Sequence, residues 1–285
     1  MFHIYIKKEL KAAKLTNTDL IYNLSLFDPA FINLDSTTLN RWASKKTTPS
    51  HYKQILIYLF FNSHILDFIK NATNITTTKT DNILHCIFKY KKIINYNTPK
   101  IHNYNLEIVE TLVNKNEKKN KLKFFYLNIN FYREINKFIE NNSLDIESYF
   151  IEEVDTINNI ITSHIQFSLV TKENYHFFTE FLNRYNLFIE IKDDIIIFDI
   201  CFFKDKETFD NLLLVSLKRM INLNIENNDI YCFTYGNSFI PLLETWGGNI
   251  IGIIKNEGEN IYLVKINFLH LLSNKYIINL LQHNI

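Results

Sequence analysis

Apolar positions recur at helical spacing through the first seventy residues and change to strand-like runs in the second half of the chain. In residues 3–13 (HIYIKKELKAA), Ile4, Ile6, Leu10 and Ala13 fall on one stripe and predict a first helix. Leu15–Leu24 opens on Thr16 as a cap and carries Leu20 and Leu24 at i, i+4, which predicts a second. After a loop over Leu26–Leu34, Asp35 or Ser36 can cap a third helix. Its Leu39 and Trp42 share one face, while Ser36, Thr37, Asn40 and Arg41 project from the others. Thr48-Pro49 stops that helix, and Tyr52–Phe68 reads as a fourth, strongly apolar one.

Residues 71–80 (NATNITTTKT) are polar and aperiodic and read as a linker. Residues 81–120 contain helical pieces and end in the charge run Asn114–Asn120. From about Leu122 helices at Phe131–Glu140 and Tyr175–Arg184 alternate with strands at Ile160–Val170 and Leu187–Phe203, the latter read as a hairpin turning at Lys192-Asp193-Asp194. A helix (Lys206–Leu223), a strand (Asp229–Tyr235), a short helix (Asn237–Trp246) and a hairpin (Asn249–Ile254 with Asn260–Asn267) complete the chain. The expected organisation is multidomain. An all-α bundle occupies 1–70, a linker and helical connector 71–120, and a mixed α/β effector or dimerisation domain 121–285.

Composition refines this picture. With 47 % hydrophobic and 15 % aromatic residues over 285 positions, a sizeable core is available. The formal charge of +1 is uneven: residues 1–70 hold nine lysines and arginines against five acids, a net of +4, leaving −3 for the remainder. Cys86, Cys201 and Cys232 are scattered without C-x-x-C spacing, which fits buried thiols in a reducing cytoplasm better than a metal site. No apolar run approaches the roughly 20 residues of a membrane helix, and no secretory core follows Lys7-Lys8-Glu9, so a cytoplasmic protein with no membrane partner is expected.

The N-terminal pattern L-T-x-x-x-L (Leu15–Leu20), T-x-x-R-W (Thr38–Trp42), Lys45-Lys46 and T-x-P-S (Thr47–Ser50) resembles the Cro/phage-repressor type of helix-turn-helix. It departs from that family in a longer joint, Phe27–Asn33, and in having Ser44-Lys45-Lys46 where glycine is common. The resemblance implies a sequence-specific transcription regulator on double-stranded DNA. Ser36, Thr37, Asn40 and Arg41 would read bases, and Asn17, Lys45 and Lys46 would touch phosphates. It further implies a homodimer whose α/β half assembles the protein or senses a small-molecule ligand.

The order of elements in the second half is similar to the C-terminal part of GNAT-type acetyltransferases. That resemblance implies a coenzyme A site on a glycine-rich loop, yet Lys204-Asp-Lys-Glu-Thr208 has no glycine. All five glycines (236, 247, 248, 252 and 258) come later. No catalytic triad, paired-carboxylate motif, metal motif or Walker loop is present. The reading is therefore of a regulator with no catalytic residue, metal or cofactor. The alternatives are a GNAT-like acetyltransferase carrying a DNA-binding domain, and a helical protein-interaction module.

Overall fold

A computed structural model describes residues 2–73, 75–90, 106–112, 131, 134, 147–158, 160–191, 193–198, 201–225, 228–255 and 258–284. The chain divides into two compact units, residues 1–78 with 269–285, and residues 79–268.

The first unit is helical: α1 (Phe2–Ala13), α2 (Asn17–Phe27), α3 (Ser36–Ala43), α4 (His51–Phe60) and α5 (Ile65–Asn71). Local chemistry sets the starts. Thr16 and Asp19 form a reciprocal capping box on α2, and Asp35 Oδ1 accepts from Thr38 N at 2.6 Å on α3. A 3-10 turn, Pro29–Phe31, fills the long α2–α3 joint and buries Phe31. The single apolar helix expected over Tyr52–Phe68 is two. Asn62 takes a left-handed φ of +55°, and His64 Nδ1 accepts from Leu66 N, starting α5 afresh. Inside the unit Ile6, Leu20, Leu24, Leu39, Ile55 and Ile69 are fully buried, and Tyr5 stacks on Tyr58 at 3.7 Å. The chain's last residues return here. Beyond α6 (Thr78–Tyr90), and past the sheet described next, α10 (Phe268–Leu272) and α11 (Lys275–Gln282) follow, and Gln282 Nε2 donates to the Ile69 and Ala72 carbonyls.

The second unit is mixed α/β. Its sheet, among the described residues, has seven strands in the order β1-β2-β3-β4-β5-β7-β6. They are β1 (Leu106–Leu112), β2 (Glu147–Asp155), β3 (Ile160–Val170), β4 (Ile195–Phe198), β5 (Asp229–Tyr235), β6 (Asn249–Ile254) and β7 (Ile261–Asn267). Every pairing is antiparallel except β4 with β5, which is parallel. The crossover between those two is α8 (Lys206–Asn222); α7 (Tyr175–Asn183) precedes β4 and α9 (Ile240–Thr245) follows β5. A parallel pair needs such a crossover, and the 17-residue helix supplies it.

Residues of alternating parity separate the two sheet faces. Phe150, Val170, Ile195, Ile197, Tyr231, Phe233 and Leu263 join Phe178, Phe181 and Leu182 of α7 in one core. On the opposite face α8 packs over β2 and β3, with the Arg219 guanidinium 5.0 Å from the Tyr149 ring. Of the hairpin expected over Leu187–Phe203, the described residues form one strand, Ile195–Phe198. Leu187 instead packs over Gly252, where a Cβ would lie 2.6 Å from Leu187 Cδ2. The helix expected over Phe131–Glu140 and the charge run Asn114–Asn120 fall mostly or wholly outside the described residues.

Candidate functional site

β4 and β5 form the parallel seam of this sheet. Among the described residues the pairing runs from Ile195 opposite Asp229 to Phe198 opposite Cys232. Beyond it β5 continues beside β7 through Tyr235, and Phe202 meets His164 of β3 in an isolated bridge. Phe202 N donates to His164 O at 2.9 Å and His164 N to Phe202 O at 2.8 Å. Phe167 faces Phe198, so an uninterrupted antiparallel register would bring Cys201 opposite His164. Phe202 stands there instead, one residue out of step. One extra residue on one strand of a pair bends that strand. β5 from Phe233 to Tyr235 has no partner on its β4 side among the described residues. In open α/β sheets ligands lie outside the carboxyl ends of parallel strands.

The start of α8 stands at the same end. Its first turn would offer free N–H groups to an anion, but carboxylates of the chain already face it. Asp205 Oδ1 accepts from Thr208 N at 2.8 Å, and buried Glu153 accepts from Thr208 Oγ1 at 3.1 Å and from Thr162 Oγ1. Lys204 Nζ lies 2.5 Å from Glu153 Oε2, and Lys206 Nζ 2.8 Å from Asp210 Oδ2. Beside this network Phe203, Phe209, Phe239 and Phe88 gather, with Phe203 and Phe209 4.9 Å apart, and Trp246 stacks on Phe209 at 6.3 Å. Cys232, the last paired residue of the seam, has its thiol pushed well up by burial, with Cys201 adding to the shift. Neither burial nor a neighbouring thiol activates a nucleophile.

At the amino end of the seam a cavity of about 320 Å³ is lined by Glu190, Ile191, Asp193, Asp194, Ile195, Asp229, Tyr231 and Lys265. Lys265 Nζ lies 2.6 Å from Asp229 Oδ2, and burial pushes the Tyr231 phenol up against the opposing pull of Lys265.

The residues assigned to DNA by the sequence lie in the helical unit. Ser36, Thr37, Asn40, Arg41, Lys45 and Lys46 are exposed and Asn17 is half-buried. Asn17 and Asn40 come together, the Asn17 amide donating to Asn40 Oδ1 at 2.8 Å. The Arg41 carbonyl accepts from Lys46 N at 2.9 Å as α3 ends. None of them approaches the seam residues in sequence, and no local motif points to the seam. Its parts come from β3, β4, β5 and α8, and only strand pairing joins them.

No protein-family model and no curated protein matches the sequence. Among solved structures the chain is similar to FeeM, an N-acyl amino acid synthase from uncultured soil microbes, with a TM-score of 0.39 and 11 % identity over 61 % of this chain and 98 % of that one. It is also similar to BjaI, a CoA-dependent acyl-homoserine lactone synthase solved with SAM and isopentyl-CoA (TM-score 0.36, 12 % identity, 61 % and 90 %). A third is MesI, another such synthase (0.35, 12 %, 61 % and 95 %). The expectation of a DNA-binding transcription regulator with double-stranded DNA as partner and no enzymatic activity is corrected by these matches, which are to synthases. A search for local catalytic motifs registers only residues close in sequence, whereas β3, β4, β5 and α8 are brought together by strand pairing and packing alone. Among the described residues no helix is long and apolar enough to cross a membrane.

Proposed function

We propose that residues 79–268 catalyse acyl transfer from a thioester to an amine-bearing acceptor, with the thioester lying in the β4–β5 crevice. The observation that carries this reading is that Phe202 meets His164 of β3 one residue out of the β3–β4 register, beside the parallel β4–β5 pair, while β5 runs on along β7 to Tyr235. An extended ligand is read as lying along the β4 side of β5, where an arm built of amides can pair with a strand edge as a further strand would. Such pairing aligns the thioester along the seam, and main-chain N–H groups of β5 are the donors that would face the developing oxyanion.

The filled start of α8 narrows the donor. With Asp205 accepting from Thr208 N and the Glu153 carboxylate standing at Thr208 Oγ1, the reading gives that helix end no part in holding a pyrophosphate, because two negative charges already face it. Affinity then comes from the amide arm and the acyl chain. A cytoplasmic setting is part of the proposal and is supported by Cys86, Cys201 and Cys232, none of which is in a disulfide.

The test is direct. The full chain is incubated with octanoyl-pantetheine and a mixture of amino acids and simple amines, with thiol release followed by colour and products by mass spectrometry. Amine-dependent thiol release with an N-octanoyl product is expected. Absence of both across acyl chain lengths from four to sixteen carbons would overturn the reading.

A further inference from the structure

At the amino end of the seam, three neighbouring strands bring unlike side chains to one face of the sheet. Ile195 of β4 stands opposite Asp229 of β5, and Tyr231, two residues on and so on the same face, stands opposite Lys265 of β7. Ile191, Ile195 and Tyr231 also belong to the core that this face shares with α7, so the sheet and its packing hold the floor in place. Asp193 and Asp194, immediately before β4, form a wall, and Asp194 Oδ1 accepts from Lys172 N at 2.7 Å, which fixes it. Between floor and wall lies the cavity of about 320 Å³, a size that takes a small organic molecule.

The charge of the lining selects the ligand. Four carboxylates, of Glu190, Asp193, Asp194 and Asp229, border the cavity against one ammonium, and that ammonium, Lys265 Nζ, answers Asp229 at 2.6 Å. With Glu190 set aside, Asp193 and Asp194 still leave two negative charges in surplus, since the donor on Asp194 is a neutral backbone N–H. Burial holds the Tyr231 phenol in its neutral form, so it adds nothing to that balance. The apolar Ile191 and Ile195 lower the local dielectric and strengthen the field of the carboxylates. Among the described residues no three His, Cys, Asp or Glu side chains converge to hold a metal ion, so the charges surround a space instead of meeting at a point. That arrangement fits an organic dication. We propose that the cavity binds a short aliphatic diamine, its ammonium groups facing the Asp193 and Asp194 carboxylates and its methylenes lying along Ile191 and Ile195. The site lies at the opposite end of the seam from the thioester and is tested without one.

Binding to the full chain is measured by titration calorimetry with 1,4-diaminobutane, and with 1-aminobutane and 1,4-butanediol as probes of similar length that carry one charge and none. Saturable one-to-one binding of the diamine is expected, with the monoamine roughly ten-fold weaker or more and the diol silent. The double variant Asp193→Asn/Asp194→Asn keeps a side-chain oxygen for Lys172 N and removes both charges. It is expected to bind the diamine at least roughly ten-fold more weakly at an unchanged melting temperature. Glu107→Gln, on the exposed strand β1, is expected to leave diamine binding unaltered. If the double variant fails to fold, the single variant Asp193→Asn, at an exposed position, is read instead. Absence of saturable diamine binding overturns the assignment. So does a monoamine or diol that binds as tightly as the diamine, or diamine binding that is unchanged in the folded variant, and none of these outcomes bears on acyl transfer.

Discussion

Lys45 ends α3 in a conformation that suits glycine. Its φ is +64°, and the chain closes with Lys46 N on Arg41 O at 2.9 Å and Lys45 N on Trp42 O at 3.2 Å. A side chain in that region is strained by contact with its own carbonyl. Lys45→Gly is therefore expected to raise stability by about 0.5 kcal/mol, since the relief exceeds the extra freedom glycine gains when unfolded; chemical denaturation measures it. The sequence already placed Ser44-Lys45-Lys46 at a joint where related patterns have glycine, and the structure shows that the joint keeps its turn without one. At Gly248 the constraint is space. A Cβ there would meet the Leu243 carbonyl oxygen and Val264 Cγ1 at 2.8 Å, so β6 can leave α9 closely only with glycine in that position.

At the scale of the element, helix starts were the most legible feature and strand partners the least. Thr16, Asp35, Ser50 and Asp205 each cap a helix through their own side chains, interactions that span three residues and need no tertiary context. The caps carry a pH dependence. Hydrogen bonds from the Thr16 side chain and backbone hold the Asp19 carboxyl below its ordinary range, and the Thr38 backbone N–H does the same for Asp35. A depressed carboxyl contributes stability above its unfolded pKa and loses it as pH falls through the folded value. The amide protons at the starts of α2 and α3 are accordingly expected to lose protection from exchange below about pH 4, while the protein is fully capped at neutral pH. Protection that is flat across that range would show that the caps do not hold these helices. Strand pairing behaves differently. Leu187–Ile191 has the β-branched and aromatic character of a strand but is not one; Leu187 N donates to the Leu182 carbonyl and its side chain packs over Gly252. The edge strand β1 escaped notice because its residues 106–110 are exposed and show no alternation between a buried and a solvated side.

At the scale of the whole molecule, the last seventeen residues belong to the compact unit of the first seventy-eight. Gln282 donates to the Ile69 and Ala72 carbonyls at 2.6 and 3.1 Å, and Tyr52 stacks on His270 at 3.9 Å. Deletion of residues 269–285 is expected to strip those partners and to abolish cooperative melting of the helical unit, seen as loss of helical signal on heating. The change Gln282→Ala alone is expected to cost about 1 kcal/mol, the net worth of an internal hydrogen bond. A truncated chain that melts as sharply as the intact one would show the return to be dispensable. By itself the sequence determined what short-range chemistry determines: the caps, the buried stripe of Leu39 and Trp42, the passage from a helical first part to a mixed α/β second part, and the lack of glycine before α8. Only the tertiary structure decided that β4 and β5 run parallel. It also decided that Glu153 meets Thr208 in the first turn of α8, and that Glu152 and His164 face each other. Those contacts join residues separated by twelve to more than fifty positions, and their free energy comes from strand pairing and burial, which no local pattern of hydrophobic and polar residues encodes.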